Sequence, residues 1–152
     1  MSRAAEEARL GIQLCRKGDW RAGIQQLARS VETGSAAEGL PSEAYSFLGY
    51  GIALEQRRVQ EGLSLCRHAL RLDYTAPENH LNLARLHLLA GDRRTAVKAM
   101  GEALSLHPNY GPLLALYRDM GYRRPPVLRF LSRSNIVNRW LGLLRHRLLR
   151  RT

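Results

Sequence analysis

Small side chains recur along this chain at a fixed pair of spacings, and that register constrains its fold more than any other feature. Gly11, Gly23 and Ser30 stand 12 and then 7 apart; Gly49, Gly62 and Ala69 stand 13 and then 7 apart; Ala84, Ala96 and Ala103 stand 12 and then 7 apart. From Gly62 to Ala96, and from Ala69 to Ala103, the period is 34, a length at which repeat architectures are built. Each set sits in the same apolar frame. Glu7, Leu10, Gly11 and Leu14 are matched by Tyr45, Leu48, Gly49 and Ile52, and then by His80, Leu83, Ala84 and His87. A second segment pairs Gly23 with Leu27, Gly62 with Cys66 and Ala96 with Met100. Spacings of three, four and seven are helical, so each unit reads as two helices. The small residues let the two approach closely enough to interlock.

Turn chemistry agrees with this division. Gly18-Asp19 and Gly91-Asp92 each place a helix-ending glycine before a capping aspartate. Thr75 and Glu78 have the spacing of a capping box, beside Pro77. The units fall at about 4–33, 42–75 and 77–110. The middle one carries an extra residue in EQRRVQ. An insertion around ETGSAAEGLP makes the first inter-repeat link four residues longer than the second, with 19 residues from Ser30 to Gly49 against 15 from Ala69 to Ala84. A looser joint is expected there.

PENHLNLARLHLLAGDRRTAVKAMGEALSLHPNY, from Pro77 to Tyr110, resembles the tetratricopeptide repeat, whose pattern sets Trp, Leu-Gly and Tyr on a first helix and Ala, an aromatic, Ala and Pro on a second. The resemblance extends over residues 4–110. It implies an all-α, right-handed superhelical solenoid of three helix-turn-helix repeats, and a non-catalytic module that binds a peptide or partner helix in a concave groove lined by the first helix of each repeat. Carried over residue by residue, the groove places are Ala8, Ile12, Cys15 and Arg16; Ser46, Tyr50, Ala53 and Leu54; and Glu78, Leu81, Arg85, Leu88 and Leu89. Each of these residues has a second reading, as packing against a neighbouring repeat. The set is apolar in its middle, which suits a segment with apolar anchors. One subgroup of the family captures a C-terminal carboxylate of heat-shock chaperones with a cationic clamp; the corresponding places here hold Ala8, Ile12, Phe47, Glu78 and Asn82, without a cation. Another subgroup, the three-repeat chaperones of type III secretion translocators, is similar in length and in its apolar groove.

Catalytic and cofactor patterns are missing from the sequence. His68, His80, His87, His107 and His146 have no metal-ligand or triad spacing to Cys, Asp or Glu, and no phosphate loop or dinucleotide motif is present. His80 and His87, seven apart, fall at aromatic places of the repeat and read as packing rings, and Cys66 falls at a core place. An interaction module such as an adaptor, scaffold or chaperone is the function this leaves, with no cofactor. Cys15 and Cys66 are isolated, and the opening MSRAAEEARLG puts acidic residues where a secretory signal needs an apolar core, so a cytoplasmic setting is expected.

Charge is concentrated at the far end. Residues 1–110 hold 14 Lys and Arg against 12 Asp and Glu, giving +2, whereas residues 111–152 hold 10 Arg against Asp119, giving +9. Gly111-Pro112 restarts a helix to Gly121, in which Leu113, Leu114, Leu116 and Tyr117 fit a cap over the last hairpin. Pro125 and Pro126 make 122–133 a link. A basic amphipathic helix is expected over 134–152, with Ile136, Val137, Trp140, Leu141, Leu143, Leu144 and Leu148 on one arc. Arg139, Arg145, His146 and Arg150 lie outside it, and Arg147 intrudes on the apolar face; Arg139, Trp140, Arg145, Arg147, Arg150 and Arg151 are the candidate contact residues of this tail. Four receivers fit that helix: the protein's own third repeat, an anionic membrane surface on the cytoplasmic side, nucleic acid held through phosphates, or another protein. For nucleic acid the scarcity of stacking aromatics counts against the match.

Overall fold

The computed structural model describes residues 2–34 and 39–121. Seven helices fall within them: α1 (Arg3–Arg16), α2 (Trp20–Thr33), α3 (Ser42–Gln56), α4 (Val59–Leu72), α5 (Pro77–Leu89), α6 (Arg93–Leu106) and α7 (Gly111–Asp119). The first six pair as antiparallel hairpins, α1 with α2, α3 with α4 and α5 with α6, and the first helices α1, α3 and α5 also pack on one another. The chain is all-α over this region, a stack of three helical hairpins followed by a further helix.

The small residues lie where the hairpin helices cross. A Cβ on Gly11 would sit 3.1 Å from the carbonyl oxygen of Gly23, and one on Gly23 would sit 3.0 Å from that of Gly11 and collide with the Cys15 sulfur. Gly49 and Gly62 form the same reciprocal contact in the second hairpin, where a Cβ on Gly49 would be 2.6 Å from the Gly62 carbonyl oxygen and one on Gly62 would meet that of Gly49. In the third hairpin Ala84 and Ala96 occupy these places, both fully buried. Backbone-to-backbone contact therefore sets the separation of the first two hairpins, and a methyl-sized spacer sets the third.

Hairpin turns follow the sequence closely in two repeats. Gly18 and Gly91 take the left-handed conformation at φ +90° and +80°. Asp19 accepts from the Ala22 amide at 3.2 Å, and Asp92 from the Thr95 amide at 3.0 Å. In the middle repeat Arg57 stands in the glycine place with φ +60° and Arg58 in the aspartate place, where it makes no side-chain cap bond. The extra residue of that repeat lies in α3, ahead of Arg57.

One expectation about the links differs from the structure. The Thr75–Glu78 capping box does not form. Pro77 occupies the first turn of α5 and Ala76 is its N-cap, which leaves Thr75 outside the helix; its amide and hydroxyl bind the Asp73 carboxylate at 2.8 and 2.7 Å instead. One apolar cluster runs across the joint between repeats one and two, joining Ile12, Cys15, Ile24 and Leu27 to Ala44, Phe47, Leu48 and Ile52. A second cluster, Ala53, Leu63, Cys66 and Leu86, joins repeats two and three.

A buried polar ladder fixes the register of α3 on α5. The Asn79 amide nitrogen donates to Ser42 Oγ at 2.9 Å and the Asn82 amide nitrogen to Ser46 Oγ at 3.2 Å. Asn79 also donates to the carbonyls of Ala69 and Asp73, tying the second link to both helices. In α7, Leu113 is wholly buried and Leu114 and Leu116 are half-buried. The link and basic helix expected over 122–152 lie outside the described residues.

Candidate functional site

The face built by α1, α3 and α5 is closed at one end by an ion pair between the outer repeats. Arg16, the last residue of α1, donates from Nε to Glu78 Oε1 at 3.0 Å and from Nη2 to Glu78 Oε2 at 2.5 Å, although the two residues are 62 apart in sequence. The Arg16 guanidinium also lies over the Phe47 ring of α3, 5.8 Å from its centroid. Repeats one and three thus meet above the first helix of repeat two, and the face they share curves inward. The forked bond matches the planar donors of arginine to both carboxylate oxygens. The hydrogen bonds that Arg16 donates to Glu78 raise its pKa further above the ordinary value.

An aromatic group floors this face. Trp20, the first residue of α2, stacks on Phe47 with centroids 6.2 Å apart and meets Tyr50 edge-on at 5.0 Å. Arg85 of α5 lies over the Tyr50 ring, 5.9 Å from its centroid. Tyr110 is half-buried within the field of Glu78, Arg16 and Arg85; burial first, then Glu78, pushes its phenol pKa up.

The sequence-derived groove residues divide into two groups. Ala8, Ile12, Cys15, Ser46, Ala53 and Leu81 are buried among the helices. Ile12 and Cys15 belong to the core shared by α1, α2 and α3, and Ser46 is engaged by Asn82. Arg16, Tyr50, Leu54, Glu78, Arg85, Leu88 and Leu89 are the ones within reach of solvent. The division follows from helical geometry, because a residue flanked by two packed helices cannot also face outward. Of the clamp places, Ala8, Ile12, Phe47 and Asn82 are buried, and Glu78 carries the opposite charge to a carboxylate-binding group. Tail residues Arg139, Trp140, Arg145, Arg147, Arg150 and Arg151 lie outside the described residues.

Three participants had no signal in the repeat register: Trp20, Phe47 as a floor for Arg16, and Tyr110. Aromatic character was the available clue, since these are three of the few rings in a chain that is only 7% aromatic. The buried heteroatoms elsewhere are structural. His80 is enclosed, with its Nε2 2.7 Å from the Tyr74 carbonyl oxygen and its ring edge-on to Tyr74. Burial pushes the thiols of Cys15 and Cys66 up to about 12, which keeps them protonated and unreactive. Among the described residues no cluster of three His, Cys, Asp or Glu side chains is placed to hold a metal ion. No helix of the described residues is long and apolar enough to cross a membrane.

These hairpins, their small-residue crossings and an inward-curving first-helix face define a helical repeat solenoid. No family profile and no curated protein matches the sequence. Solved structures do match, and they are tetratricopeptide repeat proteins. YrrB, a protein of that class with an unusual peptide-binding site, superposes with a TM-score of 0.60 at 19% identity over 78% of this chain, which spans 58% of the YrrB chain. The TPR2B domain of yeast Sti1, solved in complex with pHsp70, gives 0.61 at 20% identity over 81% of this chain and all of its own. The second such domain of human RPAP3, solved with the HSP70 peptide SGPTIEEVD, gives 0.59 at 16% identity over 79% of this chain and 97% of its own. The chain has the tetratricopeptide repeat fold.

Proposed function

We propose that this protein is a non-catalytic interaction module, an adaptor, scaffold or chaperone, that seats a peptide or helical segment of a partner on the face of α1, α3 and α5. The observation that carries the reading is the exposed group on that face: Tyr50, Leu54, Leu88 and Leu89 offer half-buried apolar surface beside Arg85, in a concavity bounded by the Arg16–Glu78 pair. Half-buried leucines and a tyrosine at a concave surface gain from being covered. Structures with this fold include complexes with HSP70-derived peptides. The same ligand does not transfer directly, because the clamp places hold Ala8, Ile12, Phe47 and Asn82, all buried, and Glu78, none of them a cation.

The test is a phage-displayed peptide selection on the immobilised full-length protein. Enrichment of a peptide consensus whose synthetic form binds at micromolar concentration supports the reading. A selection that converges on nothing overturns it.

A second reading has its own observation, the +9 charge of residues 111–152. That segment is proposed to tether the protein to an anionic surface such as a membrane leaflet, where polybasic segments gain about 1 kcal/mol per residue. Co-sedimentation of the full-length protein with phosphatidylserine vesicles, but not with phosphatidylcholine vesicles, at physiological salt is the expected result; equal supernatants reject it.

A further inference from the structure

We infer that the partner segment carries an acidic side chain and that Arg85 is the residue that receives it. The inference rests on the peptide-binding reading above and sharpens it.

The two cations of the first-helix face are in different states. Arg16 is committed: both oxygens of Glu78 hold it, and Phe47 supports it from below. Arg85 is uncommitted. Its guanidinium rests on the Tyr50 ring, and among the described residues no carboxylate pairs with it. A guanidinium 5.9 Å from a ring centroid makes a cation–π contact that uses none of its five N–H donors. Those donors fit the two oxygens of a carboxylate, and a charge-assisted pair in a half-buried site is among the stronger polar contacts a ligand makes.

Glu78 is unavailable to Arg85, because both of its oxygens are bound to Arg16. Apolar residues lie in the other direction. Leu88 and Leu89 follow Arg85 by three and four residues on α5, and Leu54 follows Tyr50 by four on α3, so one helical turn beyond the stacked pair the surface becomes hydrocarbon. The complementary ligand is a segment with an aspartate or glutamate adjacent to an apolar anchor. This anion site is distinct from the clamp places, which are buried or, at Glu78, anionic.

The experiment uses the full-length protein and three immobilised octapeptide libraries, alike except that one central position is fixed as Glu, Gln or Lys among randomised apolar and polar neighbours. The Glu library is expected to retain at least about tenfold more protein than the Gln library, and the Lys library the least. Arg85→Gln should abolish the preference for Glu, and Lys98→Gln, an exposed cation on α6, should leave it. If Arg85→Gln fails to fold, as judged by its helical circular dichroism, Arg85→Met takes its place. Equal retention by the three libraries overturns the inference while the peptide-binding reading stands. Retention by none overturns both. A preference that survives Arg85→Gln, or that is lost in Lys98→Gln, also overturns it, by placing the acid elsewhere on the protein.

Discussion

His87 shows how one side chain couples the packing of this fold to its chemistry. It takes an aromatic place in the third repeat, is buried, and has its Nδ1 3.8 Å from Asp92, the N-cap of α6. Burial lowers its pKa below the ordinary 6.5, Asp92 acts in the opposite direction, and Arg67 adds to the lowering. A histidine with a depressed folded pKa resists protonation, so below pH 6.5 the unfolded chain binds more protons than the native one. Stability is therefore expected to decline as pH falls from 6.5 toward the lower folded value, in a range where Asp92, whose own pKa is lowered by its bonds to Thr95, is still ionised. Thermal melts of the native protein and of His87→Gln between pH 5 and 7.5 check this. The variant should lose most of the slope, and parallel curves would place the titration elsewhere.

At the scale of the element, the crossings and turns make opposite demands on glycine, and substitution separates them. Gly62→Ala places a methyl against the Gly49 carbonyl and the Leu86 side chain, which forces α3 and α4 apart; a loss of about 1–3 kcal/mol in denaturant unfolding is expected. Gly101→Ala, on the exposed face of α6 where a Cβ meets nothing, should gain about 0.4–1 kcal/mol by restricting the unfolded chain. Arg57 is the converse case. It holds φ +60° where the other repeats use glycine, so Arg57→Gly should be neutral or stabilising by up to about 1 kcal/mol, measured in the same way. The register of small residues was legible in the sequence because contact between helix backbones leaves no alternative to Gly or Ala. The capping box at Thr75 misled, since Pro77 fixes where α5 begins and Asp73 competes for the same donors. The Asn–Ser ladder left no periodic trace: a buried amide is recognisable only once the opposing hydroxyl is known.

For the whole molecule, stacking three hairpins converts local patterns into a surface that no single repeat contains. Arg16 and Glu78 are each unremarkable charged residues in sequence, and only the curvature of the stack brings them together over Phe47. The same curvature explains why about half of the groove places expected from the repeat are buried: Ala8, Ile12, Cys15, Ser46, Ala53 and Leu81 hold adjacent first helices together, and the outward face passes to Tyr50, Leu54, Arg85, Leu88 and Leu89. The central claim is that this face is where a partner is held. Its most direct test is an amide and side-chain NMR titration of the full-length protein with a peptide obtained by selection. The expected result is a set of shift changes confined to Tyr50, Leu54, Arg85, Leu88, Leu89 and the Trp20 indole; changes confined to α2, α4 and α6, or to residues beyond 121, would contradict it.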